Sequence, residues 1–148
     1  MMGVEMGGYG NREALRRYQQ LGTQAEIGEA SPHRLVSLLL EGAIARVIAG
    51  RGAMEAGETA RKGELIGRAI GLVEGLKVSL DHERGGDIAA NLGALYEFAG
   101  QRLLQASAAN DPAMLTEVAA LLREIAAGWA AIAPGAQGGQ VGDAHVDP

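Results

Sequence analysis

With 148 residues and no cysteine, the chain is long enough to close one hydrophobic core and has no means of forming a disulfide or a thiolate metal site. Its 18 acidic against 13 basic side chains give a formal net charge of −5, and the basic ones are scattered, which argues against a nucleic-acid partner. No run reaches the ~18 apolar residues of a membrane span, and the first residues carry neither a basic nor an apolar leader pattern, so a soluble cytoplasmic protein without membrane insertion is expected.

Apolar residues recur every three or four positions with no alternating strand run. The predicted fold class is all-α: an antiparallel four-helix bundle over residues 31–132, with an N-terminal arm or short extra helix at 1–30 and a disordered, flexible C-terminal tail at 133–148. Within the arm, residues 11–21 read as a short helix and residues 22–29 as a connector. Tyr18 and Ile27 are its candidate contact residues, because a ring with a polar tip suits a reversible contact at a wet rim.

The first bundle helix starts at Ser31-Pro32, a side-chain cap followed by a proline whose missing N–H costs nothing at that position. It runs toward Gly57. Leu35, Val36, Leu38, Leu39, Leu40, Ala43, Ile44, Val47 and Ile48 cover roughly two-thirds of its circumference at 100° per residue. One face would satisfy a core. The excess calls for cover by the arm, by a second subunit or by a partner helix, and Leu39, Leu40 and Val47 are the candidate partner-binding residues.

The second helix starts near Glu58-Thr59 and carries Leu65, Ile66, Ala69, Ile70, Val73, Leu76 and Leu80 on one face. Gly63, Gly67, Gly71 and Gly75 form a row largely away from that face. Such a row admits close approach of another helix, or is composition tolerated on a solvated surface. The pair Gly85-Gly86 is expected to reverse the chain, and Asp87 to cap a third helix carrying Ile88, Leu92, Leu95, Ala99 and Leu103. Leu92, Tyr96 and Leu103 are its candidate partner contacts. Asn110-Asp111-Pro112 repeats the stop and start, and the last helix places Leu115, Val118, Leu122, Ile125, Trp129 and Ile132 along one seam. Trp129 is expected to be mostly buried there.

No constellation for catalysis, metal or cofactor emerges. His33, His82 and His145 lie far apart, and the chain has no Glu-x-x-His pair for a di-iron bundle. Asp81, Glu83 and Asp87 miss the pattern of a calcium loop, which would put Gly85 at position five and Leu92 at position twelve. Phosphate loops and nucleophile elbows are missing as well, so no enzyme is expected.

Four blocks together resemble the flagellar secretion chaperone family, FliS. They are Ala30-Ser31-Pro32-His33-Arg34-Leu35 with Leu39-Leu40-Glu41-Gly42-Ala43; Ser79-Leu80-Asp81 with Gly85-Gly86-Asp87-Ile88-Ala89 and Asn91-Leu92, Leu95-Tyr96; Gln101-Arg102-Leu103-Leu104-Gln105-Ala106 with Asn110-Asp111; and Glu117-Val118 with Ala127-Gly128-Trp129. Leu40 stands where the family commonly has an aromatic, Glu41 where it has aspartate, and Ala127-Gly128 replaces the usual acidic and alanine pair. The resemblance implies a chaperone that binds the C-terminal segment of flagellin, prevents premature polymerisation, and delivers the subunit to the export gate FlhA of the flagellar type III apparatus. It also implies that the arm can occupy a client groove and be displaced. Self-association through the apolar groove in the absence of client is a further expectation, drawn from the excess apolar surface itself. The competing expectation is a homo-oligomeric structural or adaptor bundle whose extra apolar face only joins subunits.

Overall fold

The computed structural model describes residues 31–132. Four helices follow one another: α1 (Pro32–Glu55), α2 (Thr59–Val78), α3 (His82–Ala109) and α4 (Pro112–Ala130). The arm, with Tyr18 and Ile27, and the tail lie outside the described residues.

Local chemistry sets each boundary. Ser31 caps α1, its hydroxyl accepting from the Arg34 N–H at 3.1 Å, and Pro32 takes the first helical position. The end of α1 closes on Gly57 at φ +76°, whose N–H reaches the Met54 carbonyl while the Glu58 N–H reaches that of Ala53. That pair of bonds satisfies two terminal carbonyls and needs a left-handed residue, which glycine supplies without strain. Asn110 performs the same closure for α3 at φ 55°, with Asp111 N–H on the Ala106 carbonyl at 3.0 Å. Asp111 then caps α4 by accepting from Ala113 N–H at 3.0 Å, and Pro112 opens it.

The turn between α2 and α3 differs from the expectation. The chain reverses at Ser79–Asp81, not at Gly85-Gly86, and the cap falls on Asp81, whose carboxylate accepts from Arg84 N–H at 3.0 Å. One turn of helix follows before Gly86 breaks it at φ 51°, ψ −126°, and α3 continues from there. A side chain is excluded on both glycines. A Cβ on Gly85 would stand 2.9 Å from that of Ala89, and Gly86 occupies backbone space that other residues enter only with strain.

The helices form a closed ring, α1 packing on α2 and α4, and α3 packing on α2 and α4. Contacts pair starts with ends: Gly50 near the end of α1 abuts Ile66 near the start of α2, Lys62 at the start of α2 donates to the Ser107 carbonyl at the end of α3 at 3.2 Å, and His33 at the start of α1 meets Trp129 at the end of α4. Between them lie Leu40, Val47, Ile66, Val73, Leu76, Tyr96, Leu103, Leu115, Val118 and Leu122, all fully buried. Each such side chain contributes about 1.5–3 kcal/mol by leaving water. Facing two neighbours at once buries Leu40, Ala43 and Val47 of α1, while Val36, Leu38, Leu39 and Ile44 are half-buried and Leu35 and Ile48 stay exposed.

Candidate functional site

The core opens at one end of the ring. Where α1 and α3 begin and α2 and α4 end, a cleft of about 420 Å³ is lined by Leu35, Val36 and Leu39 of α1, Leu76 of α2, Leu80 of the turn, Ile88, Ala89, Leu92 and Tyr96 of α3, and Trp129 of α4. Its mouth carries Ser79, Asp81 and Arg84. These polar groups already have partners: Ser79 Oγ donates to the Leu76 carbonyl at 2.8 Å, and Asp81 accepts from Arg84 N–H with the guanidinium Nε at 3.9 Å. The wall therefore offers apolar area to whatever enters.

His33 and Trp129 fasten the side of the cleft. The rings stack with centroids 5.0 Å apart and 13° between planes, His33 Nε2 donates to the Trp129 carbonyl at 2.8 Å, and Trp129 Nε1 donates to the His33 carbonyl at 2.9 Å. Each residue thus satisfies a main-chain oxygen of the other, joining the first turn of α1 to the last turn of α4. His33 is the one polar or charged side chain buried among the described residues, and this pairing accounts for it. Trp129 is mostly buried and packs against the core, as expected of its place on the seam, and it keeps some exposure because α4 ends at the cleft mouth and its ring forms part of that rim.

Beyond the cleft an apolar stripe continues on α3, with Ile88, Leu95 and Phe98 exposed at 42%, 38% and 44%. Arg102 lies over the Phe98 ring at 5.9 Å while donating to Glu117 on α4 at 2.7 Å. On the other flank of α3, Lys77 bridges Glu97 at 2.5 Å and Glu74 at 3.4 Å, the hydrogen bond to Glu97 raising the lysine and lowering the carboxyl from their ordinary values.

Of the residues singled out in the sequence, Leu39 and Leu92 line the cleft and are half-buried. Tyr96 lines it from within the core at 1% exposure, and burial pushes its phenol up to about 12. Leu40, Val47 and Leu103 are core residues at 0%, with no surface to offer a partner in this conformation. Leu35, Leu80, Ile88 and Trp129 are the cleft residues that the sequence reading missed as contacts. Leu35, Leu80 and Trp129 fall within a turn of a helix boundary and Ile88 just past the Gly86 break, where helical periodicity no longer tells inside from outside. The row Gly63, Gly67, Gly71 and Gly75 is exposed, and a Cβ added at any of them would meet nothing within 4 Å. Among the described residues no three His, Cys, Asp or Glu side chains gather as metal ligands, and no helix is long and apolar enough to cross a membrane.

Comparison with known proteins points the same way as the four sequence blocks. The family model described as "Flagellar protein FliS" matches residues 14–136. A flagellar secretion chaperone FliSB of Pseudomonas aeruginosa is 47% identical over 117 residues, covering 79% of this chain and 93% of that protein. The flagellar secretion chaperones FliS of Salmonella typhimurium and Bacillus subtilis are 40% and 28% identical, over 81% and 72% of this chain and 90% and 78% of theirs.

Proposed function

The chain belongs to the flagellar protein FliS family, and from this premise we propose that it is a cytoplasmic secretion chaperone that holds the C-terminal segment of flagellin, keeps it from polymerising early and passes it to the export gate FlhA. The observation that carries the reading is the open apolar cleft at one end of the four-helix ring, continued outward by the α3 stripe. A client segment would lay apolar side chains against Leu35, Leu39, Leu80 and Leu92 and extend along Ile88, Leu95 and Phe98. Its gain is buried apolar area, offset by several kcal/mol for ordering a chain that is disordered when free. A chaperone needs that balance, since a client must be held and then released.

Size-exclusion chromatography of the purified chain with and without its flagellin tests this. A stable heterodimer supports the chaperone reading. A chain that ignores flagellin and elutes as a fixed multimer overturns it in favour of a structural bundle that joins only copies of itself.

A further inference from the structure

Among the polar side chains on the cleft wall, one stands apart. Ser79, Asp81, Arg84 and Trp129 each make a hydrogen bond or ion pair, whereas the Tyr96 hydroxyl has no hydrogen-bond partner among the described residues. Tyr96 is 1% exposed and lines the cleft. The ring is packed in the core, yet the hydroxyl is not one of the fully enclosed polar atoms, so it reaches the cleft and stays available to whatever fills it.

We propose that the Tyr96 hydroxyl is the polar anchor of the cleft, donating a hydrogen bond to a backbone carbonyl of the bound client segment and thereby fixing its register. This rests on the client-binding reading and adds the chemistry by which the site tells one seating of an apolar segment from the next. The apolar wall alone cannot do so, because sliding a chain along aliphatic side chains changes little in buried area. A main-chain carbonyl suits the role, being present whatever the client's side chains. Inside a helix, however, that carbonyl is already bonded to the N–H four residues on, and only the last turn leaves carbonyls free. The segment at the floor of the cleft is accordingly extended, or is the final turn of a helix.

The test uses the full chain, its purified flagellin, and the variants Tyr96→Phe and Leu92→Asp, with affinity read by isothermal titration calorimetry and stability by thermal unfolding. Phenylalanine keeps the ring and removes only a hydroxyl that is unpartnered in the free protein. Tyr96→Phe should therefore unfold at or slightly above the parent temperature while binding flagellin roughly tenfold more weakly, since the client carbonyl loses its donor. Leu92→Asp should weaken binding as well, by setting a charge in the wall. Parent-like affinity in Tyr96→Phe overturns the anchor while leaving the client reading standing, and parent-like affinity in Leu92→Asp places the client outside this cleft and overturns it too. A marked fall in the unfolding temperature of Tyr96→Phe shows that the hydroxyl already has a partner within the free chain, such as residues 1–30, and overturns it as well. A parent chain that does not bind flagellin at all brings down the client reading and the anchor together.

Discussion

Several single residues hold the open end of the bundle in shape, and each makes a measurable demand. Gly86 sits at φ 51°, ψ −126°, so Gly86→Ala should cost about 1–3 kcal/mol in chemical denaturation, through backbone strain and not through lost contacts. An unchanged midpoint would mean that the break relaxes away. The His33 and Trp129 pair is reciprocal, so removing either side chain leaves the other's ring unstacked and one main-chain carbonyl unpaired. Trp129→Ala is expected to destabilise by about 2–4 kcal/mol, below the range of a fully buried tryptophan because part of this one stays solvated. Tyr96 adds a pH dependence. Its phenol titrates near 10.0 in an unfolded chain and about 12 in the fold, where burial disfavours the charge. The stability it confers is fully present below pH 10 and is lost as pH climbs through 12. Denaturation midpoints between pH 9 and 12 should fall more steeply for the parent than for Tyr96→Phe.

At the scale of elements, α2 and α1 teach opposite lessons. The glycine row of α2 faces open space, so Gly67→Ala and Gly71→Ala should each raise stability by up to about 1 kcal/mol, the ordinary helix preference of alanine over glycine. Melting curves of the single and double variants check this, and a loss of stability would reveal a covering element outside residues 31–132. Ser31-Pro32, Asn110-Asp111-Pro112 and the spacing of Leu115, Val118, Leu122 and Ile125 were all legible in the sequence, because caps and helical period are local properties. The wide apolar surface of α1 was read as excess, and Leu40 and Val47 were assigned to a partner on that ground. Two helical neighbours take Leu40 and Val47 into the core, a matter of ring closure that no single segment encodes, while Leu35, Leu39 and Ile48 keep apolar area outside it. Leu35 and Ile88 were invisible as cleft residues for the related reason that a projection shows which way a side chain points and not where the stack of core layers stops. The Gly-Gly pair was read correctly as a place that needs glycine. Its role was misplaced, since Asp81 already turns the chain and Gly86 re-aims the helix after it.

For the molecule as a whole, the described residues already bury a continuous core through all four helices. Deleting residues 1–30 is therefore expected to leave the helical circular dichroism signal of the bundle in place. If Tyr18 and Ile27 cover the client site, the same truncation should also bind flagellin more tightly or self-associate. Collapse of the helical signal would instead make the arm part of the core. Family membership is written into four motif blocks in order, all of them within residues 14–136. The cleft, by contrast, became visible only with the helices assembled, because its walls come from the ends of all four.

The reciprocal bonds between His33 and Trp129 leave the two extremities of the bundle side by side, with the Trp129 carbonyl 2.8 Å from the ring of a residue in the first turn. The order of the helices is in that sense cyclic, and where the polypeptide starts is a convention of the gene and not a requirement of the packing. A permuted chain, cut at Gly57 in the exposed turn far from the cleft and with residues 31 and 132 joined by a short flexible linker, should refold to the same ring.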